Sequence, residues 1–445
     1  MSSSVGVSDR PIPADLSGAH VVIWGLGRHG GGLAAARWCQ QAGAQVAILE
    51  RDRPSELGEA AWQCAANGWR WHLGQWDHPV CRRADFIVAN PAIPPTILAR
   101  LPADAAPLLS PEAFFFDRHC GPRIAITGTK GKSSTARMLG ALLDWPVGGN
   151  SHRPLLDVLR RHGAETPVVC ELSSFQLHHL NALRPSFQAG IVTHLGIDHL
   201  DWHGDAEAYR SSKIRFADWC QRLYVPAALR ERFPSARQAR VDLIDGHFTT
   251  TSGQTIAPRD NLSLAGDHQT SNAMLALAAA LDEGLDPTIA GIRLTTVTPL
   301  PHRFELVGDC AGLQYIDDSV ATAPDATIAA LGTTNGPTAL ILGGRSKGGD
   351  YRSLAAACRT RVKDLRLIAI YPCPRELLDN LDEAGLSYRR VADVAEAVTV
   401  ARQALGPPGG IVLFSPAAAT APPHRDFAER GDAFVAAARQ AVDQA

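Results

Sequence analysis

The chain has 445 residues, and its 43 Lys and Arg set against 45 Asp and Glu leave a formal charge of −2; with a sequence pI of about 6.8 it lacks the basic excess that neutralises nucleic-acid phosphates. That length is too great for one ordinary core, and a prior of roughly 150 residues per domain gives about three domains. The nine cysteines, among them Cys39, Cys64, Cys120, Cys170, Cys220 and Cys310, form no C-x-x-C pair and have no His partner at zinc spacing, which argues against a disulfide framework and a metal knuckle and for reduced thiols.

The N-terminus MSSSVGVSDRPIPADL is polar and acidic where a secretory signal has a basic residue and an apolar run, and no apolar stretch approaches the ~18 residues of a membrane span. A soluble cytoplasmic protein with no membrane or nucleic-acid partner is expected. The first block, HVVIWGLGRHGGGLAAARWCQQAG, reads as a strand (Val21 to Trp24), a glycine turn and an Ala-rich helix. A second strand, AQVAILE, ends on Glu50, and Phe86 to Ala89 form a later strand stopped by Pro91 and Pro94. Gly25-x-Gly27-x-x-Gly30 lacks Cβ atoms where backbone amides and a helix N-terminus would approach a diphosphate, and Glu50 stands where a ribose-binding acid would sit. Glycines kept only for close strand–helix packing fit the same pattern, and the motif does not choose among nucleotides.

After Gly121-Pro122 a second block begins with RIAITGTKGKSSTARMLGALLDW, again strand, glycine loop and helix. A phosphate loop needs converging N–H groups, one lysine and one hydroxyl for Mg²⁺; Gly128, Gly131, Lys132 and Ser133 supply them, although Ile126 stands where the shorter motif has its first glycine. Ile126 and Thr127 finish the incoming strand of a longer loop. A carboxylate for the metal belongs at a neighbouring strand end, and Glu171 closes the run Val168, Val169, Cys170. The next strand end delivers His194, Asp198, His199, Asp201 and His203, a cluster open to zinc or to a plain surface loop. In the helical stretch DAEAYRSSKIRFADWC, Lys213 reads as a solvated charge. A third block follows a linker with Pro299 and Pro301, and its apolar runs end near Gly343, Tyr371 and Ser415. The strand–helix alternation throughout predicts an α/β fold with parallel sheets.

GTKGKSS, GGN (148–150), ELSSFQL, GIDHLDWHG, YRSSK, AGDHQTSNAMLALAAA, HRFELV, DDSVAT, LGGRSKG and SPAAAT with DFAERG occur in the order seen in the Mur ligases. Over essentially all of its length the chain resembles the branch of that family that joins glutamate to UDP-N-acetylmuramoyl-L-alanine. ELSSFQL and SPA followed by F-x-x-RG are specific to the branch; the phosphate loop alone would fit folate polyglutamate synthases equally well. The resemblance implies three domains: a Rossmann-like UDP-sugar domain (1–120), a central P-loop-type ATP domain (121–298) and a Rossmann-like C-terminal domain (299–445) that brings the amino acid and closes on ATP. It implies that Gly25, Leu26, Gly27, Glu50 and Asn90 hold the UDP-sugar, with Asn150 at the phosphates or the acyl-acceptor path. Gly128, Thr129, Lys130, Gly131, Lys132, Ser133, Ser134, Asn272, Arg303 and Asp318 would bind ATP. Ser133, Glu171, His199 and a carbamylated Lys213 would hold two Mg²⁺ ions, with Lys132, His199 and Lys213 as the catalytic set. Thr322, Lys347, Thr420 and Phe427 would hold glutamate.

The family commonly reads D-S-K-A-T-N where this chain has Asp318-Ser319-Val320-Ala321-Thr322-Ala323, and SPACAS where it has SPAAAT. A lysine is therefore gone beside the acceptor pocket. Inverting the acceptor's α-carbon moves its carboxylate, so loss of that cation points to the subgroup that joins L-glutamate and leaves inversion to a downstream epimerase. D-glutamate is the alternative. A folate-polyglutamate-type ligase, a P-loop switch without acceptor chemistry and a nicotinamide oxidoreductase built on the first glycine turn are the competing readings.

Overall fold

The computed structural model describes residue 12 and residues 15–27, 30–51, 67–73, 79–102, 104–150, 153–237, 240–262, 264, 266–298, 301–346 and 350–443. These divide into two compact units, one running up to Leu262 together with Asp267–Val297, the other running from Thr298 onward with the short segment at Gly266.

The first unit holds two parallel sheets. Strands β1 (His20–Trp24), β2 (Gln45–Glu50), β3 (Arg70–Leu73), β4 (Phe86–Ala89) and β5 (Leu108–Leu109) stand in the order β3-β2-β1-β4-β5. Val21 to Trp24 are all buried, the pattern of a strand covered on both faces. Because β1 pairs with both β2 and β4, the connections leaving β1 and β4 diverge and open a crevice at their carboxyl ends. The helix Gly31–Gln41 returns flush against the turn after β1; a Cβ on Gly32 would lie 2.1 Å from the Gly25 carbonyl oxygen.

The second sheet is built from β6 (Arg123–Thr127), β7 (Val147–Gly149), β8 (Val168–Glu171), β9 (Ala189–Val192) and β10 (Leu223–Tyr224), in the order β10-β9-β6-β8-β7 and parallel throughout. Central β6 is flanked by β8 and β9, so the loops after Thr127, Glu171 and Val192 emerge side by side. One buried apolar cluster includes Ile12, Val21, Phe114, Leu155 and Phe233, tying the two sheets into a shared core. A small antiparallel sheet, β11 (Val241–Ile244), β12 (His247–Thr250) and β13 (Thr255–Pro258), is an element the periodicity reading did not anticipate.

The second unit is one six-stranded sheet of β14 (Glu305–Cys310), β15 (Leu313–Asp317), β16 (Thr338–Gly343), β17 (Leu365–Ile370), β18 (Tyr388–Val391) and β19 (Gly410–Phe414), ordered β14-β15-β19-β16-β17-β18. Only β14 runs antiparallel. Here β15, β19 and β16 are neighbours, which gathers the loops after Asp317, Phe414 and Gly343 at one end. Among the described residues every cysteine is free, and burial pushes the Cys39 and Cys170 thiols up to about 12. No helix of the described residues is long and apolar enough to cross a membrane.

Candidate active site

The loop after β6 is shaped by two glycines that no other residue replaces without displacement. At Gly128 (φ 150°) a Cβ would fall 2.1 Å from Thr193 Oγ1, and at Gly131 (φ 83°) 2.8 Å from the Asn272 side chain. Gly131 caps the helix Lys132–Leu143 in a left-handed conformation, so the N–H groups of its first turn point toward the loop. The Lys132 ammonium curls back to donate to the Gly128 (2.9 Å) and Thr129 (3.2 Å) carbonyls. Those carbonyls hold the ammonium over the loop, where an anion bound there would meet it. The Thr193 hydroxyl holds the loop from outside by donating to the Lys130 carbonyl.

Ser133 Oγ and Asn150 Nδ2 both donate to Oε1 of Glu171, each at 3.0 Å. Glu171 is wholly buried at the end of β8. A buried carboxylate beside a hydroxyl is a set of hard oxygen donors, and it fits Mg²⁺ better than a softer metal. Ser134 accepts from Gln269 at 3.4 Å, and Gln269 in turn accepts from Asn272 at 3.3 Å, so Asn272 lies against the loop.

Lys213 departs from the expected solvated charge. It sits in the helix Ala206–Ile214 with only 1 % of its surface exposed, and its ammonium lies 4.9 Å from the Tyr209 ring centroid. Burial and the nearby charge of Lys132 hold the amine well below the usual lysine range, against a smaller opposing pull from Asp198. Tyr209 donates to Thr129 Oγ1 (2.8 Å), which also accepts from Gly196 N–H (2.9 Å); this hub joins the loop after β6, the His194–His199 loop and the Lys213 helix. His199 adopts a left-handed backbone (φ 52°), lies 4.7 Å from Phe175 between ring centroids and has Asp198 3.7 Å from its Nε2.

In the crevice between β1 and β4, Gly25 and Gly27 have φ of 80° and 71°, and a Cβ on Gly27 would sit 2.0 Å from Asn90 Nδ2. Asn90 Oδ1 accepts from Ala92 N–H at 2.9 Å, and Glu50 Oε2 accepts from Leu26 N–H at 2.8 Å. Gly25, Leu26, Gly27, Glu50 and Asn90 are thus one folded surface. Two side chains of the second sheet's loops hold it: Trp202 Nε1 donates to the Ala92 carbonyl (3.2 Å), and the His179 ring hydrogen-bonds the Pro91 carbonyl. Burial pushes His179 down to about 3, and its Nε2 is buried without a partner, so the ring is neutral with its proton on Nδ1.

In the second unit Asp318 follows β15, accepts from Ser415 Oγ at 2.8 Å and is pushed up to about 7 by burial, with Arg303 pulling the other way. Thr322 closes the same loop, donating its N–H to Val320 O (2.8 Å). Thr420 lies in the loop after β19, and Phe427 opens the helix Phe427–Asp443 with its carbonyl accepting from Ser319 Oγ (2.8 Å). Lys347 lies outside the described residues. Sequence reasoning assigned no role to Arg430, which is 4 % exposed and binds Ser319, Gly343 and Ala418, one residue from each of the three strand-end loops. It also passed over Tyr209, Trp202 and His179, although YRSSK and HLDWHG contain the first two.

The family described as Mur ligase middle domain matches residues 126–229, and the one described as Mur ligase, glutamate ligase domain matches residues 302–418. The chain is 32 % identical to a UDP-N-acetylmuramoylalanine–D-glutamate ligase of Roseiflexus sp. over 94 % of its own length and 98 % of the relative's. It is 32 % identical to the ligase of that name from Syntrophotalea carbinolica, over 95 % and 97 % of the two chains. Among solved structures the UDP-N-acetylmuramate–alanine ligase MurC of Thermotoga maritima superposes with a TM-score of 0.63 at 19 % identity, covering 95 % of this chain and all of that one. The chain belongs to the Mur ligase family and is of its MurD type.

Proposed function

We propose that the chain is an ATP-dependent amide ligase that joins glutamate, with L-glutamate the preferred acceptor, to UDP-N-acetylmuramoyl-L-alanine in the cytoplasmic supply of peptidoglycan precursors. The observation that carries this reading is the grouping of Lys132, Ser133 and Glu171 at adjacent strand ends with the buried amine of Lys213 close to Lys132. An alanyl carboxylate oxygen attacks the γ-phosphorus of ATP, the bond to the bridging oxygen breaks and ADP leaves. The acceptor amine then attacks the acyl phosphate carbonyl, loses a proton and expels phosphate. Lys132 and the N–H groups around Gly131 offset the charge on the phosphates. Magnesium, when bound, supplies further positive charge there, and Ser133, Glu171, His199 and a carbamylated Lys213 would hold its two ions.

Carbamylation needs a neutral amine: Nζ adds to CO₂ and releases a proton. Burial and Lys132 both favour that form of Lys213. The fold around β1 and β4 takes the UDP-sugar on Gly25, Leu26, Gly27, Glu50 and Asn90, with Asn150 near the phosphates. Asn272, Arg303 and Asp318 serve the nucleoside of ATP. Thr322, Lys347, Thr420 and Phe427 serve the acceptor. The preference for L-glutamate is supported by half-buried, apolar Val320, which stands where the family has a lysine; the curated relatives named above are D-glutamate ligases, and an L-glutamyl product would need an epimerase downstream.

The test is ADP release from ATP and Mg²⁺ with UDP-N-acetylmuramoyl-L-alanine, comparing L-glutamate, D-glutamate and no acceptor. ADP release that requires the UDP-sugar and an acceptor, faster with L-glutamate, is expected. Release indifferent to both would overturn the ligase reading, and faster turnover with D-glutamate the handedness alone.

A further inference from the structure

We propose that Arg345 is a binding and specificity residue for the acceptor, taking one of its carboxylates in a guanidinium fork. This rests on the ligase reading and deepens it. The residue follows β16 through two glycines of positive φ, 147° at Gly343 and 134° at Gly344. Gly344 packs against the loop after β19, where a Cβ would lie 2.1 Å from the Ala419 carbonyl oxygen. The chain therefore runs flush along that loop. Arg345 N–H donates to Ala419 O (2.7 Å), and Ala419 N–H donates back to Arg345 O (3.0 Å).

The side chain is anchored as well, with Nε donating to the Thr420 carbonyl at 3.0 Å. One of five guanidinium donors is spent in this way, and it fixes the plane of the group. The two terminal nitrogens are the pair that bind a carboxylate in parallel. Among the described residues no carboxylate is within ion-pair distance of Arg345, and the residue is exposed. An arginine tied down by its backbone and Nε, with its fork unspent, is organised for an anion that comes from outside.

The surroundings favour an anion too. Arg430, buried behind the same three loops, spends its donors on the Ser319 hydroxyl and on the Ser319, Gly343 and Ala418 carbonyls, with no carboxylate among them. Of the neighbouring acids, Asp317 is paired with His302 at 2.7 Å, and burial pushes Asp318 up to about 7. A carboxylate here is drawn by the guanidinium charges of Arg345 and Arg430, while Val320 offers none.

Steady-state kinetics with the full-length enzyme tests the assignment. Arg345→Met is expected to raise the KM for glutamate by about ten- to a hundred-fold, the span of a charge-assisted hydrogen bond, with the KM for ATP and for the UDP-sugar unchanged. Arg345→Lys, which keeps charge but loses the fork, is expected to fall between. Glutarate, a dicarboxylate without an amine, should inhibit the wild type competitively against glutamate and Arg345→Met at least about ten-fold more weakly. A glutamate KM within two-fold of wild type, or all three KM values rising together, would overturn the role of Arg345 alone. A wild type that needs no acceptor for ADP release would overturn the ligase reading, and this role with it.

Discussion

Lys213 shows how far burial changes the meaning of a residue. Its neighbours in YRSSK give a helix with no strong apolar face, and from that pattern a solvated ammonium is the natural expectation. What the local pattern does not contain is Lys132, some eighty residues earlier, and the burial of the helix face that carries both Tyr209 and Lys213. The shape of the loop after β6, by contrast, was legible because its signal is local: strand end, glycines, lysine, hydroxyl and helix start lie within a few residues of one another. If Lys213 works as a carbamate, the side chain must supply an anionic oxygen, and Lys213→Ala should lose at least about a hundred-fold in kcat, as removal of a group that organises charge at a phosphoryl-transfer site does. Formate or acetate at millimolar concentration should restore part of that rate by bringing a carboxylate into the vacated space. Rescue is measured as ADP release against carboxylate concentration, and a flat response would reject the carbamate.

At the scale of elements, the strands that mattered for the site were legible to within a residue. Phe86–Ala89 and the end at Thr127 followed from apolar runs cut by proline or glycine. The sheet of β11 to β13 was not anticipated, yet its signal was present: Asp245-Gly246 joins β11 to β12 with φ of 48° and 75°, the two positive values of a type I′ hairpin turn. Its strands alternate weakly, and β11 is mostly exposed, so no apolar period marks it. The clasp of Trp202 and His179 on the Pro91–Ala92 turn was illegible for another reason. It joins loops of two different sheets through backbone carbonyls, which leave no trace in residue type. Trp202→Phe keeps the ring against Phe175 and removes one hydrogen bond, worth about 1 kcal/mol. The KM for the UDP-sugar should rise by roughly three- to ten-fold while the affinity for an ATP analogue, measured by calorimetry, stays the same. Equal loss of both affinities would mean that the indole supports the whole unit and not the turn.

For the whole molecule, two compact units with separate cores predict two unfolding transitions, each with its own dependence on pH. In the first unit Glu112 is buried, its Oε1 accepts from Gln176 Nε2 at 2.7 Å, and burial raises its carboxyl above the ordinary 4.5. A raised folded value means stability fully present below the unfolded value and lost as pH rises through the folded one. In the second unit the hydrogen bond to Asp317 raises His302 above the ordinary 6.5, with Asp432 and Glu305 adding to the pull. Its contribution has the same sign but a later window, intact below about 6.5 and lost above the folded value. Scanning calorimetry from pH 5 to 9 should therefore show the first unit's transition falling from the acid side of the range and the second unit's only from neutral pH upward. Glu112→Gln keeps the shape and the hydrogen bond but cannot titrate, so it should flatten the first transition's pH dependence and leave the second untouched. His302→Ala strands the buried Asp317 carboxylate and should cost the second transition about 3 to 5 kcal/mol at pH 6, with no effect on the first. A single transition that both substitutions shift alike would mean that the two cores unfold as one and that neither group titrates within a unit of its own.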